Sequence, residues 1–403
     1  MCGETLVRPV RIHQVQMSLN TSPPSLLGPH FALLLLTTAI VGLSFSTYFL
    51  LPKFLAVELA ADAATIGAVS AAALLTTVVA MPVVGVQVDR HGRRPFACAG
   101  ALLLAVGCVG MCFVDEVGPL LWAVRIAQGI AFPLFYVSLS TIATDIAPRE
   151  RVGQAIGLFG GIMIATNALG PALAEWGAQR YNWRWVFIAT VVAALVAAGL
   201  SARLPDAHRR QPAGSSAPMH ELVRRAGMLR VLFIAALSGW AFSSMFTFHQ
   251  PWALIEGYAE VSRYLAGFAG AAMVMRVGLG GLADRLGRLQ VARLSLLLYV
   301  LAPLSLVWVS HLGLLATGAL LGVAHGLFFP ALNAVAVDLA RDDERGRAMA
   351  AYNGAFNVGF ASGSYLLGRL AIAHGYPAIF WLATGVCAAA ALLLFTTRPA
   401  HAT

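Results

Sequence analysis

The sequence predicts an all-α membrane protein of about twelve transmembrane helices, built as two similar six-helix halves. Three observations predict it: an apolar content far above that of soluble domains, long apolar stretches separated by short polar breaks, and motifs that recur at a nearly constant offset. Of 403 residues, 59% are hydrophobic and 11% charged, with a mean hydropathy of +0.77. Soluble domains carry roughly 45–50% apolar and about 25% charged residues. A soluble fold has too little interior to hide that surface. About 20 apolar residues in a helix cross the roughly 30 Å hydrocarbon layer, and lipid admits only segments that satisfy their own backbone bonds.

Stretches of that kind fall at 30–57, 63–88, 95–114, 118–143, 152–176, 183–203, 228–257, 262–283, 290–310, 312–339, 347–372 and 376–397. Residues 204–227, rich in Pro, Gly, Ser and Arg, break the apolar pattern near the midpoint. The expected organisation is a tail at 1–29, a bundle at 30–203, a linker at 204–227, a second bundle at 228–397 and a tail at 398–403. The first 29 residues lack the charged, apolar and cleavage regions of a secretory signal, and Met17 is an alternative start.

The net charge of +9 is a topology signal, not a nucleic-acid footprint. Of the 27 Lys and Arg, 20 fall in or at the span ends beside the two tails, the linker and the loops after spans two, four, eight and ten; five fall in or beside the loops of the other side. Cationic loops stay cytoplasmic, so both termini are expected in the cytoplasm of a multi-pass inner-membrane protein. Of the five cysteines, Cys98, Cys108, Cys112 and Cys387 lie in apolar segments. Cys108 and Cys112, one turn apart on a helix, are poorly placed for a mutual disulfide and read as small apolar residues.

The halves repeat each other. Asp89-Arg90-His91-Gly92-Arg93 recurs as Asp284-Arg285-Leu286-Gly287-Arg288, 195 residues later. Gln128-Gly129 recurs as His325-Gly326 at 197, Asp145 as Asp338 at 193, Glu150-Arg151 as Glu344-Arg345 at 194 and Phe187 as Phe380 at 193. Anchors in constant order imply duplication. An even number of spans per half makes the repeats parallel about an axis along the membrane normal, which sets a cavity between them near the midplane.

On these residues the chain resembles the major facilitator superfamily. Gly85 to Arg94, with Gln87 where Leu is usual, is similar to the family's cytoplasmic signature, and Gly280 to Arg288 is similar to its second copy. Arg125-Ile126-Ala127-Gln128-Gly129 resembles the family's R-x-x-Q-G segment, and Trp183 to Phe187 resembles the common entry to the sixth span. The likeness covers 30–397. Gly160-Gly161 followed by Gly170-Pro171 resembles the exporter signature of the fifth span, here with Ala174-Glu175 in place of paired glycines. The resemblance implies secondary transport of a small-molecule substrate by alternating access, driven by a proton gradient with no bound cofactor or metal. It favours efflux and a monomer in membrane lipid, with import and a sensor role as the other readings.

The marked residues then have expected roles. Asp89 ends the second span, where its carboxylate can meet the positive N-terminus of a helix from the other half, expected to be the eleventh. Gly85, one turn earlier, would permit that approach. The resemblance implies a gating cluster of Gly85, Asp89, Arg90, Gly92, Arg93 and Asp145, matched by Gly280, Asp284, Arg285, Gly287, Arg288 and Asp338. The plainer reading is topology charge with a tight turn at each glycine. Arg125 and Arg276 lie inside spans, where a charge costs about 2.5–3.5 kcal/mol on the insertion scale. For Arg125 the choices are the cavity, with a role in coupling or anion contact, or snorkelling; Arg276 also has a route to the cytoplasmic surface. Gln128, Asn167, His249, Gln250, His325, Asn353 and Asn357 complete the polar candidates at depth, each open to a substrate contact or to an interhelical bond. Pro251 beside His249-Gln250 marks a bent helix. Gly161, Gly170 and Pro171 are read as a helix-packing motif. Phe132, Phe135, Tyr136, Phe328 and Phe329 either line an apolar site or pack.

All eighteen Asp and Glu fall in loops or near helix ends. A coupling proton is thus left with Glu58, Glu175, Glu256, His249 or His325. Few midplane charges favour a neutral, amphipathic or anionic solute. The lone lysine, Lys53, follows Leu51-Pro52 rather than a phosphate loop, which excludes an ATP-driven pump. No G-x-S-x-G, metal-ligand spacing or acid pair at one depth points to an enzyme.

Overall fold

A computed structural model describes residues 26, 28–206, 219–278, 285–341 and 344–396, and every regular element among them is helical. The long elements are α1 (Pro29–Val57), α2 (Ala63–His91), α3 (Arg94–Met111), α4 (Pro119–Ile146), α5 (Val152–Arg180), α6 (Trp183–Ser201), α7 (Met228–Ile255), α8 (Ser262–Gly278), α9 (Arg288–Val307), α10 (Leu314–Asp338), α11 (Arg345–His374) and α12 (Tyr376–Phe395). The ends carry familiar start and stop chemistry. The Asp62 carboxylate accepts the Thr65 N–H at 2.7 Å, which also holds its carboxyl below the usual range, and Asn182 does the same for Trp185 at 3.2 Å. Gly92 ends α2 at φ +95°, and Gly287, its counterpart in the repeat, precedes α9 at φ +88°.

Ten of these helices are long and apolar enough to cross a membrane, so the chain is a multi-pass membrane protein. The two outside that set are α8 and α11. In α11 the apolar signal is diluted by Asn353, Asn357 and a run of small residues, and that run is used in packing. A Cβ on Gly359 would lie 1.9 Å from the Ala236 carbonyl oxygen of α7, and one on Gly239 of α7 would lie 2.0 Å from that of Phe356. Helices can approach so closely only where no side chain intervenes, and in lipid such close packing replaces the missing hydrophobic drive.

The helices pack in a pattern that occurs twice. α1 lies against α5 and α6, α2 against α4, and α3 against α4 and α6; likewise α7 lies against α11 and α12, α8 against α10, and α9 against α10 and α12. The two sets of six meet along α2–α11 and α5–α8. Consecutive helices alternate in direction, so the loops after α2, α4, α8 and α10 share one end, here the basic end, and those after α1, α5, α7 and α11 share the far end.

Two spans read as continuous are interrupted. α1 passes through a 3-10 turn at Thr47–Leu50 before Pro52, and α7 breaks at Phe248 before Pro251. Proline lacks the N–H that would continue the ladder, and the turn tightens to absorb the loss. The expected eighth span, 262–283, is described as helix to Gly278; the linker and both tails lie largely outside the described residues.

Gly359→Val should lower the midpoint of thermal unfolding in detergent by an amount equivalent to more than about 3 kcal/mol, since backbone cannot yield to the new side chain. Gly354→Ala, whose Cβ meets nothing within 4 Å, should leave it equal or higher. Equal midpoints for the two variants would show that the α7–α11 approach does not support the fold.

Candidate functional site

The breaks in α1 and α7 face each other across the two sets of helices and are bonded together. The fully buried Gln250 donates from Nε2 to the Phe49 carbonyl at 2.6 Å and accepts the Lys53 N–H at Oε1 at 3.1 Å. In an unbroken helix those two backbone groups would pair with each other. The Gln250 amide thus fills the gap that Pro52 and the 3-10 turn open in α1.

The side chain of the same Lys53 forms an ion pair with Glu175, Nζ to Oε1 at 2.5 Å, the two side chains 11% and 3% exposed. Lys53 also donates to the Ala259 carbonyl at 2.6 Å, and the Glu175 carboxylate accepts the backbone N–H groups of Val261 and Ser262, each at 2.9 Å. Val261 and Ser262 open α8, so a carboxylate of α5 is seated on the N-terminus of a helix from the other set. Three donors thus converge on the Glu175 carboxylate.

The basic end is different. Along α2–α11 the helices touch at the far end, where a Cβ on Gly67 would lie 2.1 Å from the Ser364 oxygen and one on Gly368 2.4 Å from that of Ala63. Toward the basic end the same two helices part: Gly85 and Gly354 have nothing within 4 Å of a built Cβ, and Asp89 and Arg90 are exposed. The expected meeting of Asp89 with α11 is absent because the two sets are apart at that depth. Arg93 instead pairs with Asp145 at 2.9 Å, both buried or nearly so, and its N–H donates to Asp206 at 3.2 Å. Arg288 pairs with Asp338 in the second set, and Arg285 is exposed; Gly280 and Asp284 lie outside the described residues. Each of these pairs stays within its own six helices. Arg225, beside the linker, pairs with the buried Glu344 at 2.5 Å, a tie that sequence reading did not single out.

Of the candidates at depth, Arg125 bonds Gln128 at 2.6 Å and the Val69 carbonyl at 3.3 Å, tying α4 to α2 inside the first set. His249 is fully buried and stacks on Tyr264 with centroids 4.1 Å apart. His325 meets the Tyr299 hydroxyl at 3.2 Å and the rings of Phe242, Phe329 and Phe356 at 4.8, 5.1 and 5.7 Å. Arg276 is exposed, within electrostatic range of His325 and of Tyr136 on α4. Asn353 donates to its own helix at Met349, while Asn167 and Asn357 are half-buried. A Cβ on Gly161 would lie 3.7 Å from Met273 of α8, and one on Gly170 2.1 Å from the Ser46 hydroxyl of α1, which itself donates to the Thr166 carbonyl at 2.6 Å; Pro171 is buried beside them. Phe132 stacks on Tyr136 at 5.1 Å, and Phe49 meets Phe246 across the two sets at 5.0 Å. An apolar groove of about 690 Å³ lined by Leu43, Thr47, Trp176, Tyr181 and Trp185 is bounded by α1, α5 and α6 alone and so lies on the flank of the first set.

Lys53 is the residue that sequence reading passed over, noting it only as a solitary lysine. The signal was there: a single ammonium near the end of one span and an acid where paired glycines are usual in another.

The Multidrug resistance protein MdtG of Citrobacter koseri is 26% identical over 338 residues, covering 79% of this chain and 81% of that protein. The Multi-drug resistance efflux pump PmrA of Streptococcus pneumoniae is 25% identical over 327 residues, 76% of this chain and 79% of its own. Multidrug resistance protein 3 of Bacillus subtilis is 28% identical over 123 residues, 30% of this chain and only 24% of that longer protein. Among solved structures, a variant of the nucleoside transporter NupG superposes with a TM-score of 0.80 at 14% identity, covering 91% of this chain and 99% of that one, which is a likeness of fold. The family model for the Major Facilitator Superfamily matches residues 34–314 and 257–403; the chain belongs to that superfamily and is a transporter.

Proposed function

We propose that the protein exports a small organic solute across the inner membrane in exchange for protons. In this reading both termini are cytoplasmic, and two rigid bundles, 30–203 and 228–397, rock about a central cleft. The observation that carries the alternating-access part is the contrast between the ends. Cross-set bonds gather at the far end, on Lys53, Glu175, Gln250, Val261 and Ser262, while the facing helices at the basic end are apart. A transporter caught open to the basic side needs this asymmetry: one end sealed, the other admitting solute. The excess of Lys and Arg at the basic end supports a cytoplasmic location for it, and relatives named for multidrug resistance support outward transport.

The chemistry of the seal fits a gate. Lys53 and Glu175 neutralise each other in a dry site, yet the bonds their side chains make to the other set go to the Ala259 carbonyl in a loop and to the start of α8, groups that water can satisfy once the end opens. At the basic end, Asp89 and its surroundings stand ready to meet α11 when the bundles rock the other way.

Purified protein in liposomes should exchange labelled for unlabelled substrate without a gradient, and a proton gradient should drive net accumulation that an ionophore abolishes. Exchange that ignores the gradient would remove proton coupling; saturable binding without exchange would favour a sensor.

Glu175→Gln leaves the Lys53 ammonium uncompensated, which costs about 3–5 kcal/mol in a buried site and falls on the sealed state alone. In a background with the native cysteines replaced, Phe246→Cys should then react at least tenfold faster with an impermeant maleimide added from the periplasmic side. Unchanged labelling would remove the seal from the mechanism.

Asp89→Asn should insert and express as the wild type but transport severalfold more slowly, because the cytoplasmic closure loses its charge at the α11 terminus, worth roughly 0.3–1 kcal/mol or more when partly buried. Normal rates from well-expressed variant protein would leave Asp89 a topology charge.

A further inference from the structure

The flank of the first set carries a groove that the transport cycle leaves unused. It holds about 690 Å³ between α5 and α6, with α1 behind them. At its back, the buried hydroxyls of Ser44 and Thr47 each donate to a carbonyl at 3.0 Å, of Thr190 and Leu43 respectively, so the groove presents an apolar interior. Its lining runs from Tyr181 inward to Gly170 on α5 and from Trp185 inward to Ala193 on α6, about 12–16 Å of depth at 1.5 Å per residue. Leu173, Trp176, Tyr181 and Trp185 are each more than half exposed along its rim. On the flank of a multi-pass membrane protein, the medium that meets such an opening is the bilayer.

The mouth of the groove is charged. Arg180 ends α5, and Arg184 lies in the first turn of α6 beside Trp185. The Arg180 guanidinium lies 5.6 Å from the Tyr181 ring centroid, and Tyr181 meets Trp176 edge-on at 6.3 Å. Trp and Tyr gather at the level of lipid headgroups, so the two guanidiniums stand at that level while the groove below reaches into the acyl layer. Both arginines are exposed, and neither has an ion pair among the described residues. The loops of the far end, at 58–62, 112–118, 181–182, 256–261 and 308–313, are all described. Their acids leave Arg180 and Arg184 alone, Asp115 and Glu116 of the loop after α3 included, whereas Arg263 at the same end is paired with Glu260 at 2.5 Å.

A planar guanidinium matches the oxygens of a phosphate, and two of them without acidic partners favour a headgroup that is anionic over one that adds an ammonium. We infer that this groove binds an anionic phospholipid, with one acyl chain between α5 and α6 and the phosphodiester on Arg180 and Arg184. The site lies outside the cleft, within one set of six helices, and is independent of the solute and of the direction in which it moves.

Native mass spectrometry of the full chain, titrated in detergent with dioleoylphosphatidylglycerol or dioleoylphosphatidylcholine, counts the lipid retained. The glycerol lipid should bind about tenfold more tightly than the choline lipid. R180Q/R184Q should bring it down to the choline lipid and leave choline-lipid affinity unchanged, which also reports an intact fold. Ala189 is exposed on the α6 wall, so A189F should fill the groove and weaken both lipids alike. R263Q/R369Q removes the same charge from the same end away from the groove and should leave the preference in place. Equal affinity for the two lipids, a preference unmoved by R180Q/R184Q or equally reduced by R263Q/R369Q, binding untouched by A189F, or displacement of the glycerol lipid by inorganic phosphate would each overturn the inference.

Discussion

Hydrocarbon cannot solvate a polar group, and the architecture of this protein follows from that constraint. A break in a soluble helix is repaired by water. Here the repair has to come from another part of the chain, so each irregularity needs a partner at the same depth. The 3-10 turn and Pro52 in α1 leave backbone groups without helical partners, and the amide of Gln250 takes up two of them. That amide is available because α7 is itself broken at Phe248. Two defects that would each be costly alone become one cross-set junction.

The same constraint divides the packing into two kinds. Within each set of six, helices are joined through glycines that bring backbones into contact, as at Gly239 and Gly359, and these surfaces have no second way to fit. Between the sets, contact at the far end combines a close glycine approach along α2–α11, at Gly67 and Gly368, with ions, amides and helix termini, groups that water satisfies equally well. Rigid bodies whose seam is in part polar and water-replaceable suit a rocking motion, since packed cores switch between discrete fits and do not deform continuously.

Much of this was legible in the sequence, and the rest was not for physical reasons. The apolar stretches report individual helices, because the cost of exposing backbone to lipid acts on each span alone. The repeat of Asp89-Arg90 as Asp284-Arg285 reports duplication, because charge and turn chemistry at a membrane surface are local. α11 is the exception: Gly359 and its neighbours weaken its hydropathy in exchange for close packing. The junction of Gln250 with α1 joins residues 197 positions apart, and the pair Lys53–Glu175 joins residues 122 apart. No local pattern encodes either. Asp89 shows a different limit, since a sequence marks a residue for a contact without saying in which conformation that contact exists.

That limit separates the charges by what they do in a cycle. Arg93–Asp145 and Arg288–Asp338 each lie within one set, so rocking leaves them intact, and they brace the basic ends of the two bodies in every state. Charges whose partners lie across the seam are the ones that can change hands. At the far end Glu175 is now seated on the start of α8; at the basic end Asp89 is exposed and without α11. In the proposed cycle Asp89 would meet the N-terminus of α11 as Glu175 now meets that of α8. Closing one end would then draw its acid onto a helix terminus while opening the other returned its acid to water, so the two exchanges would offset each other and leave neither state far below the other in free energy. A transporter needs that near balance, because a seam much stronger at one end would hold the protein in a single state and stop the cycle.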